Sequence, residues 1–338
     1  MSVIHFLNVL EGDCNIIKHD SNRVTVIDVS NAYNEVDTEE EKAVKNSEMR
    51  KLMLARTQVP TGKKDYEQKK TPDNPVQYLK KHGIKDIFRF IITHPDMDHL
   101  DGIRDLFTEF NITNTWDTDN LKYIDPNGNF AGYNKEDWEF YRKLRAGQFT
   151  GTARKTYHAK DVNEYYSSDY IKVLAPTPAL IKQANDSGNF NDSSYVLLYT
   201  PPKKNGGKWK FLFAGDSEDS TWEYILENFQ EEVKNVDVLF APHHGRGSGR
   251  DYTFLKTLNP KVTLFGNASS KHLDYNAYEP TRITNNQAGY IIIDIDEEKI
   301  TFYVKNYEFA KYYKHKRNWR EPTYNSKFEA YGLFKIDT

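Results

Sequence analysis

The stretch DIFRFIITHPDMDHLDG, residues 86–102, constrains this chain more than any other. An apolar run of strand character ends in THPDMDHLDG, which crowds His94, Asp96, Asp98 and His99 together. Pro95 and Gly102 are turn residues, and a turn alone accounts for an aspartate. It does not account for two imidazoles and two carboxylates at the mouth of a buried strand. Histidine and carboxylate are ligands of zinc and manganese, so the spacing points to a metal site.

Further strand ends carry groups of the same kind. FLFAGDSE places Asp216 after a strand and a glycine, and VDVLFAPHHG places His243 and His244 after the next strand. NDSSYVLLY places Asn191 and Asp192 just before a strand. Polar residues at the ends of neighbouring strands converge on one crevice. A centre of two divalent ions needs a bridging carboxylate, with imidazoles and carboxylates on either side. Asp216 is the natural bridge, because a lone carboxylate buried beyond a strand needs a cation. Adjacent residues on a strand face opposite ways. The sequence therefore expects one ligand from the HHG pair, His244 ahead of His243, with the other ring packing or supporting it.

Composition narrows the chemistry. Cys14 is the sole cysteine of the 338 residues, which excludes a disulfide framework and a cysteine-rich zinc module. Metal must be held by His, Asp and Glu. A net charge of −3 gives no global positive field, so any site for a polyanion is local. No apolar run approaches the roughly 18 residues of a spanning helix, and the amino end lacks a signal pattern. The expectation is a cytoplasmic protein with no membrane partner; the oligomeric state stays open. Residues 1–338 read as one domain, with strands clustered at both ends and helices interleaved. Two polar stretches, about 31–75 and 117–165, read as insertions that wall or cover the cleft.

The order HxDxDH, Asn-Asp-Ser, FAGD and VDVLFAPHHG resembles the metallo-β-lactamase fold. Within it the chain is similar to the soluble hydrolase domain of the competence protein ComEC, as is the opening FLNVLEGDCNII followed by VTVIDVS. The matching segments are about 3–30, 76–115, 170–275 and 289–305. The resemblance implies an α+β fold, a four-layer αβ/βα sandwich with helical and loop insertions and two divalent ions (zinc or manganese) in a cleft along one edge. It implies that His94 and Asp96 hold the first ion. Asp98, His99 and one histidine of the HHG pair would hold the second, with Asp216 between the two. Asp28 would hold a ligand histidine by its other ring nitrogen. Asp98 and Asp216 are the residues on which catalysis would turn.

This chain departs from the family pattern in several places. Most members have histidine where Asp96 stands and another near Asn191–Asp192. The first site is thus expected to be oxygen-rich, tilted from zinc toward manganese. The usual Gly-Gly after DH is Asp101–Gly102, and the Gly-Gln-Gly-Asp turn is Leu10–Glu11–Gly12–Asp13.

The implied activity is hydrolysis by a hydroxide activated between two metals. The leading substrate is a phosphodiester, in single-stranded nucleic acid. The alternative is a small molecule: a lactone, a phosphocholine-like ester or a cyclic nucleotide. A binding protein without activity comes third. His272 reads as a solvated loop histidine, with substrate contact or proton donation as its functional reading. Two basic stretches suit a polynucleotide, since cations track phosphates and rings stack on bases. One holds Arg142, Lys143, Arg145, Arg154, Lys155 and Lys160 with Tyr141 and Tyr157; the other is KYYKHKRNWR, 311–320. A solvated face balanced by acidic residues is the plainer reading of both.

Overall fold

The computed structural model describes residues 1–30, 66–247, 249–268, 274–278 and 280–338. Most of the first polar stretch, and His272, lie outside the described residues.

Strands β1 (Ser2–Phe6), β2 (Asn15–Lys18), β3 (Val24–Ile27), β4 (Asp86–Ile91), β5 (Asn111–Trp116) and β6 (Ala153–Lys155) belong to one sheet. Strands β7 (Ile171–Ala175), β8 (Val196–Tyr199), β9 (Phe211–Phe213), β10 (Val238–Phe240), β11 (Val262–Phe265) and β12 (Arg282–Thr284) make a second. The chain then returns to the first sheet with β13 (Ile291–Ile295), β14 (Lys299–Val304), β15 (Tyr324–Asn325) and β16 (Ala330–Asp337). The strands that deliver the polar motifs are parallel within each sheet: β3 to β6 in one, β9 to β12 in the other. Parallel strands are covered on both faces, which is why FII (90–92) and VLF (238–240) read as unbroken apolar runs rather than alternating ones.

The two sheets face each other. Ile4, Ile27, Ile91 and Trp116 of the first meet Val173, Leu197, Phe213, Phe240 and Leu264 of the second in one buried cluster. Behind the first sheet, Phe90 and Ile112 pack on Leu79 of α1 (Pro75–Lys81), Leu106 of α2 (Ile103–Glu109) and Trp138 of α3 (Lys135–Arg145). Helix α4 (Pro178–Ser187) leads into β8. Behind the second sheet, Leu212 and Leu239 pack on Trp222 and Ile225 of α5 (Asp219–Val233) and on Phe254 of α6 (Phe254–Leu258). These are the four layers expected, and each large apolar side chain so buried is worth about 1.5–3 kcal/mol. The helices start where local chemistry dictates. Asn74 accepts from Gln77 N ahead of Pro75, and Thr177 accepts from Leu180 N ahead of Pro178.

The second polar stretch is more than a covering. Its helix α3 buries Trp138 and Tyr141 in the outer layer, and β6 pairs with β5 at the sheet edge. The sequence predicts strands as the last elements, closing near residue 305. The structure adds α7 (Tyr307–His315), whose Phe309, Ala310 and Tyr313 enter the cluster between the sheets.

Register fixes where α7 lies. Ile91, Ile27, Asn15, Phe6, Ile291, Val304 and Tyr331 follow one another across the first sheet. They mark the edge at which β3 and β4 end. Tyr307 packs on Tyr331 at that edge, and Tyr313 on Phe334, farther along β16. Helix α7 thus starts at this edge and runs away from it. No helix of the described residues is long and apolar enough to cross a membrane.

Candidate metal centre

The carboxyl ends of β3, β4, β9 and β10 bring Asp28, His94 to His99, Asp216 and the HHG pair to one place. Asp216 is the hub. Its Oδ1 lies 3.2 Å from His99 Nε2 and 3.5 Å from His244 Nε2. Its Oδ2 lies 3.7 Å from His94 Nε2 and 3.6 Å from His243 Nε2. Asp98 Oδ2 is 3.5 Å from His244 Nε2, and Asp96 Oδ1 is 3.5 Å from His94 Nε2.

Asp98, His99, Asp216 and His244 present ligand atoms that all lie within 4.8 Å of one another. His94 Nε2, His99 Nε2, His244 Nε2 and Asp216 Oδ1 are buried, and none has a hydrogen-bond partner among the described residues. Buried polar atoms are normally paired, so a converging set of unpaired nitrogens and a carboxylate oxygen fits a cation. Asp98, His99 and His244 would share one divalent ion with Asp216 Oδ1. His94, His243 and Asp96 face Asp216 Oδ2.

The HHG pair departs from the strand reading. β10 ends at Phe240, and His243 and His244 both adopt left-handed backbone, φ 52° and 53°. Alternation holds only inside a strand. In this turn both rings reach Asp216, so the first group is less short of imidazole than the sequence suggested.

Two rings are hydrogen-bonded from behind by a carboxylate, and a third has one beside it. His99 Nδ1 donates to Asp28 Oδ2 at 2.7 Å, and His244 Nδ1 lies 3.2 Å from Asp13 Oδ1. His243 Nδ1 lies 3.5 Å from Glu218 Oε1. Two glycines make the room. Gly12, at φ +90°, passes so close to Asp98 that a Cβ would sit 1.8 Å from its carbonyl oxygen. A Cβ on Gly266 would sit 2.1 Å from Asp13 Oδ1 and 3.0 Å from His244 Nδ1.

The electrostatics follow. Burial works against charge on His244, yet Asp216 and Asp13 lift its pKa to about 10. His99 is likewise buried, and Asp216, Asp28 and Asp98 hold it well above its ordinary value. Burial also opposes the charge of Asp216, but His244, His99, His243 and His94 hold its carboxyl well below the usual range. Hydrogen bonding with His243 brings Glu218 down to about 2.

The remaining sequence candidates stand apart. Asp192 is buried and bonded to Thr221 Oγ1 at 3.3 Å and Asn189 Nδ2 at 3.4 Å, with no bond to an imidazole among the described residues. Asn191 donates to Glu218 Oε1 at 3.3 Å, so it supports the carboxylate behind His243. In the first basic stretch, Arg145 and Arg154 pair with Asp117, and Lys160 donates to Asn228. Those cations hold the protein together. Sequence reasoning missed the roles of Asp13, Glu218 and Lys122, the last of which pairs with Asp96. EGD and FAGDSE carried a signal for the first two; nothing local marks the third.

No family model matches the chain. By sequence it is similar to ComE operon protein 3 of Bacillus subtilis (strain 168), 25% identical over 189 residues. That match spans 56% of this chain and 21% of that protein, about a fifth of its length. Among solved structures, the metallo-β-lactamase fold protein YhfI from Bacillus subtilis has a TM-score of 0.38 at 8% identity, covering 78% of this chain and 85% of that one. Igni18, a metallo hydrolase from the archaeon Ignicoccus hospitalis, has a TM-score of 0.45 at 12% identity, covering 87% and 100%. A long form RNase Z from yeast has a TM-score of 0.40 at 11% identity, covering 84% and 40%. Two facing sheets, helices outside both and a carboxylate–imidazole cluster at the strand ends give the chain a four-layer αβ/βα arrangement, the one that its resemblance to the metallo-β-lactamase fold implies.

Proposed function

We propose that this chain is a metal-dependent hydrolase that cuts phosphodiester bonds, with single-stranded nucleic acid as its substrate. The observation that carries the hydrolytic part is the convergence of four imidazoles on the two oxygens of Asp216. Divalent ions held there would bring the pKa of a bound water toward neutrality and polarise the bond to be cut. Zinc and manganese both suit a set of mixed imidazole and carboxylate. Asp28 and Asp13 hold His99 and His244 by the far nitrogen, which leaves the near nitrogen of each free to ligate, and Glu218 stands beside the far nitrogen of His243. Asp98 and Asp96, with side chains 16% and 30% exposed, are the side on which solvent and substrate reach the group.

Residues 311–320 support the single-strand reading. Lys316 lies over Tyr312 at 4.7 Å and Arg317 over Tyr313 at 3.7 Å, and Trp319 is exposed. None of Lys311, Lys314, Lys316, Arg317 and Arg320 pairs with a carboxylate among the described residues. Tyr313 is buried, so the exposed rings are Tyr312, beside Lys316, and Trp319; a cation beside an exposed ring suits a strand whose bases stack. One observation favours the small-molecule reading instead. Helix α7 runs away from the metal edge, whereas residues 117–133 wall the centre through Lys122 on Asp96 and Tyr133 on Glu11.

An activity panel decides between them. The metal-stripped chain is restored with manganese or zinc. It is then given bis-p-nitrophenyl phosphate, labelled single strands, duplexes, cyclic dinucleotides and lactones. Metal-dependent cutting of single strands is expected. Turnover of the small substrates alone would favour the second reading.

A further inference from the structure

We propose that Lys122 controls occupancy of the first cation position by competing for Asp96, so that the centre holds one divalent ion tightly and a second one weakly. This rests on the metal-centre reading above.

The Lys122 ammonium pairs with Asp96 Oδ1, the same oxygen that faces His94 Nε2. The lysine is delivered there by a built loop. Asp117 is fully buried and accepts from Tyr141 Oη at 3.0 Å and from Arg154 Nη2 at 2.9 Å, which fixes the chain where it leaves β5. Asn120, also buried, donates to Ser193 Oγ at 2.7 Å, and its Oδ1 accepts from the Lys122 backbone N–H at 3.1 Å. The Leu121 N–H donates to Asn185 Oδ1 at 2.7 Å. Residues 120–122 are thus tied to the segment from α4 to β8. The ammonium lies 5.8 Å from the Phe190 ring centre, on a side chain that is only 19% exposed. A lysine on a freely solvated loop has no such constraint.

The other position has no counterpart. No lysine or arginine pairs with Asp98 or Asp216 among the described residues. An ion arriving between Asp98, His99, His244 and Asp216 meets two carboxylates whose only cationic neighbours are imidazoles that would themselves become ligands, with no lysine or arginine to displace among the described residues. An ion arriving between His94, His243 and Asp96 meets an aspartate already neutralised, and must displace a held ammonium to use it. Charge repulsion between ammonium and divalent cation at this range is large in a partly buried site. The resemblance implies two divalent ions, and the held ammonium stands at only one of the two positions.

The test is a titration of the full chain, stripped with chelator, with zinc chloride in a calorimeter, checked by elemental analysis of dialysed protein. Groups that touch metal ligands change affinity by roughly 10- to 100-fold. The wild type should show one tight ion and a second weaker by a factor of that order. Lys122→Met and Lys122→Gln remove the charge with different lengths, and in each the weaker class should tighten by roughly tenfold or more while the tight class is unchanged. Asp96→Asn should abolish the weaker class and spare the tight one. Two equal classes in the wild type would overturn the proposal, as would a weaker class that neither Lys122 variant tightens. A wild type that binds no zinc would overturn the metal-centre reading itself, a different and recognisable outcome.

Discussion

Asp28 accepts a hydrogen bond from Nδ1 of His99 at 2.7 Å, and this bond aims His99 Nε2 at Asp216 Oδ1, 3.2 Å away. Asp28 is itself held in left-handed backbone, φ 59°, and accepts from the N–H and hydroxyl of Thr93, each at 2.7 Å. Asparagine tolerates that backbone and keeps the shape, but it loses the charge that makes the ring a better ligand. Asp28→Asn should therefore bind zinc roughly 10- to 100-fold more weakly with an unchanged circular dichroism spectrum. Calorimetry on both proteins checks this, and equal affinities would count against the relay.

Gly266→Ala should act on the same centre from the other sheet. Its methyl group would collide with Asp13 Oδ1 and crowd His244 Nδ1, so Asp13 must leave the ring it holds. Zinc affinity should fall as far as in Asp13→Asn, and combining the two changes should cost little more than either alone. Additive losses would show that Gly266 matters for some other reason.

Much of this was legible because β4 and its candidate ligands are contiguous. DIFRFIITHPDMDHLDG holds a strand, a turn and four ligand candidates without a break. The HHG pair was misread because alternation was extended past Phe240, where the strand ends and two left-handed residues turn both rings inward. Asp13 and His244 are 231 residues apart in the chain, and Lys122 and Asp96 are 26 apart. No local pattern encodes such pairings: the first joins loops of the two facing sheets, and the second joins loops that follow the adjacent strands β4 and β5. Helix α7 was missed for a different reason. Its charges and tyrosines drew a functional reading, while the apolar face formed by Phe309, Ala310 and Tyr313 went unread.

Away from the centre, Arg89 and Asp169 form a fully buried pair, Nη2 to Oδ2 at 2.6 Å. Burial opposes ionisation of Asp169, but hydrogen bonds from Ser21 and Arg89 hold its carboxyl below the ordinary value. A lowered carboxyl pKa contributes stability above the unfolded value of about 3.9, and that stability is lost as pH falls through the lower folded value. Asp169→Ala strands a buried guanidinium and should cost about 3–5 kcal/mol at pH 7. Urea unfolding should show the gap between wild type and variant narrowing below about pH 4. A gap that is constant with pH would mean the pair does not carry the difference.

Salt dependence tests the polynucleotide reading. Neutralising Lys311, Lys316 and Arg320 leaves alone Arg317, which packs on Tyr313, and Lys314, which reaches Gly332 O. If these cations meet phosphates, the slope of log affinity against log salt for single strands should shrink by roughly 0.7 for each phosphate no longer neutralised. Turnover of bis-p-nitrophenyl phosphate should not change, because the centre is untouched. Unchanged slopes would remove α7 as the track and favour a small substrate.

In the proposed reading Asp216 is the residue around which metal would be held, and every other role in the centre depends on it. The most direct measurement is the metal content of the full chain after dialysis against zinc or manganese, compared with Asp216→Ala and Asp216→Asn of confirmed fold. The wild type should retain at least one ion per chain, Asp216→Ala should retain none, and Asp216→Asn should lose most of its metal because the amide offers a single neutral oxygen. A wild type that stays free of metal, or an Asp216→Ala protein that keeps as much as the wild type, would contradict this role.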